Sequence, residues 1–201
     1  MPKQNPLLLD LPMPIQTSRL LLRPKQAGDG ETASLAISET WEDLHHWMRW
    51  AEDPDDFSAE KMEIRTRQAM ARYILREDIQ LVGIEKATGA QVITCGLHRL
   101  DWAGRLCDIG YWVRKSAQGR GFASEAANVL VRYAFGPLEM KRVALTCALE
   151  NIPSKRIAER LGFVFEGLQK NAEILPENTN TDRLVFARLD ATDLPELDVQ
   201  W

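Results

Sequence analysis

The stretch from Ser116 to Glu125 constrains this chain more than any other. It reads Ser-Ala-Gln-Gly-Arg-Gly-Phe-Ala-Ser-Glu and follows an apolar run, Ile109-Gly110-Tyr111-Trp112-Val113. Beyond it, Phe122, Ala126, Val129, Leu130 and Tyr133 fall at i, i+4, i+7, i+8 and i+11. That spacing puts them on one face of a helix running to about Phe135. The apolar run reads as a strand. Gly119 and Gly121 let backbone N–H groups turn outward with no Cβ in the way. A helix start adds unpaired donors and a partial positive charge. Strand, glycine turn and helix start in that order make a seat for a phosphate or pyrophosphate.

Two phosphate-loop patterns are excluded. The chain has no G-x-x-x-x-G-K-[ST] and no G-x-G-x-x-G. What remains is Gln118-x-x-Gly121-x-Ala123.

At 201 residues the chain suits one domain with a self-sufficient core. Cys95, Cys107 and Cys147 lack C-x-x-C spacing and lie in apolar runs, so they read as buried free thiols in a reducing compartment. The start has Leu7-Leu8-Leu9 but also Asp10, Pro12 and Pro14, too broken for a signal or membrane segment, and a cytoplasmic protein is expected. A net charge of −4 argues against nucleic acid as the main partner.

Along the chain, residues 1–16 read as a Pro-rich extended arm, 17–189 as one domain and 190–201 as a tail. Arg19 to Arg23 is a short strand stopped by Pro24. Asp29 and Thr40 are read as N-caps of two short helices, and Ser58 as the cap of a longer one carrying Met62, Thr66, Ala69, Met70 and Tyr73. From Ile79 the period becomes that of strands: 79–85 and 91–100 around a Lys86-Ala87-Thr88-Gly89 turn, then 106–113. Arg142 to Cys147 is β-rich, a helix from Asn151 ends at Gly162, and 163–168 and 183–189 complete the strands. The predicted fold is α/β (α+β): a mixed, mostly antiparallel sheet of six to seven strands with helices on both faces.

Gln118-x-x-Gly121-x-Ala123 resembles the pyrophosphate-loop signature of the GNAT superfamily of N-acetyltransferases. The resemblance extends to the RimJ/RimL type through Thr17-Ser18-Arg19-Leu20-Leu21-Leu22-Arg23-Pro24, Asp108-Ile109-Gly110-Tyr111-Trp112-Val113, Asn151-Ile152-Pro153-Ser154, Leu161-Gly162-Phe163 and Glu166-Gly167. It implies an acetyl-CoA-dependent enzyme, acetyl-CoA being a co-substrate, with no metal. Tyr111, Trp112 and Val113 would offer main-chain contacts to the pantetheine arm. Gln118, Gly119, Arg120, Gly121, Phe122 and Ala123 would supply the loop donors, with the Ser124 hydroxyl near a phosphate. Asn151 would bind pantetheine, and Ser154 would protonate the departing thiolate. The same two residues also suit plain helix capping. Asp108 stands where relatives carry a Glu base, one methylene shorter here, so a bridging water is one route; Glu85 is the alternative base. Glu125 is read as helix-dipole placement.

His45, His46 and His98 form no metal-ligand spacing. His98 is a candidate for the acceptor cleft, as are Trp41 and Trp47, whose neighbours Glu42, Asp43, Glu52, Asp53, Asp55 and Asp56 would suit a protonated amine. The implied acceptor is a protein N-terminal α-amine. A small amine (a polyamine, an aminoglycoside or an amino-acid analogue) is the alternative, and a CoA-binding module without transfer is the alternative class. No membrane partner is expected, and the oligomer is a monomer or homodimer.

Overall fold

An eight-stranded sheet, in the order β1-β2-β3-β4-β5-β6-β8-β7, forms the centre of the molecule. The computed structural model describes residues 5–201. In chain order its elements are β1 (Ile15–Gln16), β2 (Leu20–Pro24), α1 (Gly30–Trp47), α2 (Ala59–Ile74), β3 (Ile79–Glu85), β4 (Gln91–Asp101), β5 (Leu106–Val113), α3 (Phe122–Phe135), β6 (Arg142–Ala148), α4 (Ile152–Arg160), β7 (Val164–Ile174) and β8 (Asn180–Arg188). Neighbours are antiparallel except β5 and β6, which are parallel and are joined through α3.

The sheet is larger than the six to seven strands expected. The added strand is β1, where Ile15 is fully buried and Gln16 exchanges backbone hydrogen bonds with Gln200 at 2.7 and 2.9 Å. The last part of the expected arm is thus tied to the carboxyl-terminal segment; residues 1–4 lie outside the described residues. The final hairpin is also longer than the sequence suggested, because the ladder resumes at Glu173↔Thr181 and Ile174↔Asn180 beyond an irregularity that holds Lys170 and Asn171.

The two short helices expected after residue 29 are one helix, α1. Thr40 caps nothing: its Oγ1 donates to the Ala36 carbonyl at 2.7 Å, inside the helix. Asp29 is engaged by Arg23 at 2.7 and 2.8 Å rather than by its own helix. The start of α1 is capped from another helix, since Glu63 of α2 accepts from the amides of Gly28 and Gly30. A Cβ at Gly30 would come within 2.6 Å of the Glu63 backbone, so glycine permits this close approach.

The apolar face expected for α3 is buried in full, with Phe122, Ala126, Val129, Leu130 and Tyr133 in the main core cluster against the sheet. A second cluster of Ile37, Leu44, Phe57 and Met62 packs α1 on α2, with Trp41 and Trp112 against it. On β5, Cys107, Ile109, Tyr111 and Val113 belong to the α3 cluster, whereas Trp112 belongs to the α1–α2 cluster. Alternate side chains of one strand therefore serve opposite layers.

Candidate active site

Strands β5 and β6 pair only at Leu106↔Arg142, Cys107↔Val143 and Asp108↔Ala144. Both strands continue, to Val113 and Ala148, without further pairing. A wedge opens there. Its floor is the Asp108–Ala144 pair, and the β5 edge of residues 109–113 faces into it. On its other edge β5 stays paired with β4 as far as Ile93↔Val113.

The loop seen in the sequence closes one end of this wedge. Gly119 and Gly121 have φ of +72° and +85°, values other residues rarely adopt. The first α3 bond runs from the Glu125 amide to the Gly121 carbonyl at 3.1 Å. The amides of residues 119–124 therefore have no acceptor among the described residues. Gln118 differs from its expected role. Its amide donates to Lys115 and its side-chain nitrogen donates to Asp43 at 2.9 Å, so it anchors the loop and is not a free donor.

Several carboxylates hold the loop. From α1, Glu39 takes the Ser116 amide at 2.6 Å and pairs with Arg114, while Asp43 holds Lys115 at 2.8 Å. The Ser116 hydrogen bonds and Arg114 outweigh desolvation and keep the Glu39 carboxyl down at about 2. On the far side, Glu85 pairs with the Arg120 guanidinium, and Glu125 pairs with Arg19. Arg19 also donates to the Arg120 carbonyl at 2.9 Å. The Glu85 carboxylate sits at the β3–β4 turn end, away from Asp108, and is taken by Arg120 and Thr88. Glu125 is no mere dipole partner, being buried and bonded to both Arg19 and Thr17.

The helix start of α4 lies across the wedge from β5. Asn151 caps it, with Oδ1 accepting from the Ser154 amide at 3.2 Å. That leaves the Asn151 side-chain NH2 available, so capping and ligand binding are compatible. The Ser154 Oγ lies 3.2 Å from the Tyr111 hydroxyl. Burial drives the Tyr111 phenol well above its ordinary range, which keeps it protonated and a donor. This hydroxyl pair was not legible in the sequence, where Tyr111 appeared only as backbone. Arg160 reaches the Ser124 hydroxyl at 3.4 Å and adds positive charge beside the loop, a second contact the sequence did not signal.

The other face of the wedge carries Asp108, Trp112 and, across β4, His98. Asp108 accepts from Arg99 in an ion pair. His98 bonds Asp78 at 2.7 Å through Nδ1. Trp50, 45% exposed, lies 6.5 Å from Trp112 and lines a cavity of about 470 Å³ with Arg49, Glu52 and Asp56. Trp41 stacks on His45 and packs on Phe57, and Trp47 meets His46 edge-on. Trp50, just beyond the end of α1, thus meets the Trp112 ring, while Trp41 and Trp47 lie within α1. Among the described residues no group of three or more His, Cys, Asp or Glu side chains could hold a metal ion, and no helix is long and apolar enough to cross a membrane.

A family model described as an acetyltransferase (GNAT) domain matches residues 19–164. YdaF of Bacillus subtilis (strain 168), named as a candidate ribosomal N-acetyltransferase, is 35% identical over 150 residues, covering 73% of this chain and 77% of that protein. A ribosomal-protein-serine acetyltransferase of Escherichia coli (strain K12) is 30% identical over 116 residues, 58% of each chain. Among solved structures, Mycobacterium smegmatis RimJ in complex with CoA-disulfide shares the fold, with a TM-score of 0.80 at 24% identity over 89% of this chain and 85% of that one.

Proposed function

From the premise that this chain belongs to the GNAT family and is an N-acetyltransferase, we propose that it carries the acetyl group of acetyl-CoA to a protein N-terminal α-amine by direct attack. The observation that carries this reading is the wedge itself: an unpaired β5 edge ending at six consecutive free amides. An extended pantetheine amide chain suits a strand edge, and a pyrophosphate suits outward amides at a helix start. The acceptor class rests on the ribosomal-protein names of the two relatives.

Acetyl-CoA, when bound, supplies an activated thioester; the protein's residues do the rest. Loop amides of residues 119–124, with Ser124 and Arg160, hold the pyrophosphate end. Tyr111, Trp112 and Val113 hold the pantetheine arm by backbone, and Asn151 adds its side-chain amide. Positioning of amine and thioester supplies a large share of the acceleration. The amine nitrogen attacks the carbonyl carbon, the C–S bond breaks, and the sulfur leaves as thiolate. Ser154 gives that thiolate its proton and is reprotonated from solvent, while the Tyr111 hydroxyl stays protonated and donates a hydrogen bond to the Ser154 Oγ. The amine gives up its own proton to a base on the Trp112 face.

Free-thiol release from acetyl-CoA tests the reading, against short peptides with free N-termini and against polyamines and aminoglycosides. Mass spectrometry of a single acetyl on the peptide α-amine supports it. Release with small amines alone moves the acceptor to that class. CoA binding without release in either pool makes the chain a binding module.

A further inference from the structure

We infer that His98 is the base that takes the proton from the acceptor amine, with Asp78 as its positioning residue. This assignment rests on the wedge being the acetyl-CoA site.

The ring lies where two strands are bare. Gly96 and Gly110 face each other across β4 and β5, one pair along from His98 and Asp108 on the same face. A Cβ at Gly110 would come within 3.0 Å of the imidazole Cδ2 and 3.1 Å of Nε2; a Cβ at Gly96 would come within 3.1 Å of Cε1. The two glycines form a floor that only an unsubstituted backbone provides. Gly110 is the second residue beyond the last β5–β6 pair, so Nε2 sits over the edge that opens into the wedge.

The other nitrogen is committed. Nδ1 lies 2.7 Å from the Asp78 Oδ1, and Gln80 donates to the second Asp78 oxygen at 2.9 Å. Burial works against the Asp78 charge, but the hydrogen bond and charge of His98, with Gln80 and Arg72, prevail and hold its carboxyl below the usual range. An ionised Asp78 accepts the Nδ1 proton, which leaves Nε2 as a bare lone pair. Nε2 has no partner among the described residues, and the side chain is 35% exposed. Charged groups near the pair are Arg72 and Lys25 around Asp78, and Asp108 with Arg99 opposite His98. Asp108 is the rival base, but its carboxylate is neutralised by Arg99. In the step itself the amine N–H bond breaks as the N–C bond forms, and the proton passes to Nε2 and then to solvent.

The test is the pH dependence of kcat/KM with an N-terminal-serine peptide, and with spermidine if the peptide is silent, read as acetylated product by mass spectrometry. Two acid limbs are expected for the wild type, one from the acceptor amine and, below it, one from the base that receives its proton. His98→Gln should lower kcat by about 10²–10⁴-fold, remove the lower limb and leave acetyl-CoA affinity intact. Imidazole added to His98→Ala should restore part of the rate. Asp78→Asn should lower kcat with the KM values little changed and Asp78→Glu should restore part of it, while a merely structural Asp78 would leave kcat of the folded Asp78→Asn variant at the wild-type value. A lower limb that persists in His98→Gln, or that vanishes only in Asp108→Asn, overturns the assignment and leaves the proposed function standing. A wild type silent toward every amine overturns both.

Discussion

Arg19 and Glu125, 106 residues apart in the sequence, meet with Nε donating to Oε2 at 2.7 Å, where β2 passes the first turn of α3. The same carboxylate accepts from Thr17 Oγ1 at 2.6 Å, and the same guanidinium donates to the Arg120 carbonyl. One ion pair thus ties the outer half of the sheet to the loop of free amides. Glu125→Ala leaves Arg19 and Thr17 without this partner, one of them buried. It should destabilise the fold by about 2 kcal/mol and weaken CoA binding. In thermal unfolding that is a fall of about 4–8 °C. A melting temperature within about 1 °C of wild type would show the pair to be idle.

Gly121 tests the loop geometry. Its φ of +85° makes any side chain strained, although a Cβ would meet only Arg19 Nη2 at 3.6 Å. Gly121→Ala should therefore cost about 1–2 kcal/mol of stability for conformational reasons. Gly121→Asp should bind CoA at least about tenfold more weakly than Gly121→Ala, because a carboxylate there opposes the pyrophosphate. Equal affinities of the two variants by calorimetric titration would refute the placement.

Tyr111 holds the Ser154 hydroxyl that the proposed mechanism uses as acid, their hydroxyls being 3.2 Å apart. Ser154→Ala and Tyr111→Phe should each lower kcat by about 10–100-fold with little change in acetyl-CoA affinity. The double variant should fall hardly further than the worse single one, since the two hydroxyls act as one hydrogen-bonded unit. The α4 cap uses the Ser154 backbone, so the alanine variant keeps its helix. Near-normal turnover of Ser154→Ala at saturating substrates would remove its role as acid.

Glu39 sets an acid limit. Its carboxyl is held at about 2 against an ordinary value of 4.5, by the Ser116 hydrogen bonds and then Arg114. The folded value is the lower one, so this contribution is complete above about pH 4.5 and is lost as pH falls toward 2. Asp43 is lowered in the same sense by Lys115 and Gln118. Urea midpoints should fall over that interval, and Glu39→Gln should flatten the fall. A Glu39→Gln curve parallel to wild type would show that the loop anchor does not titrate there.

Burial pushes the thiols of Cys95 and Cys107 up to about 12 and raises that of Cys147. At pH 8 the native protein should show no fast thiol toward an aromatic disulfide reagent, and the denatured chain should show all three. A fast native thiol would contradict the burial of these strands.

Much of the site was legible because its signals are local. The helical spacing from Phe122 to Tyr133 and the glycines at 119 and 121 report on neighbouring residues only, and the structure keeps both. The split expected in α1 came from treating Thr40 as a cap. A threonine hydroxyl bonds within a helix as readily as at its start, and here it also accepts the Lys115 amide at 3.0 Å from another element. Glu125, Glu39 and Asp43 looked like helix-surface carboxylates because their partners lie on other elements.

The chain's own pattern determined the meander, the loop, the helix behind it and the family they belong to, since each depends on residues a few positions apart. Only the tertiary structure decided what each carboxylate holds and which histidine nitrogen is bare. Asp78 and His98 make the reason plain. The pair next to the turn, Ile84↔Gln91, extrapolates to Asp78 opposite Leu97. A register shift between Gly83 and Ile84 moves the pairing by one, to Ile79↔Leu97, and brings Asp78 opposite His98. A one-residue bulge changes the partner of every residue beyond it, and the alternation of the two strands alone does not place it.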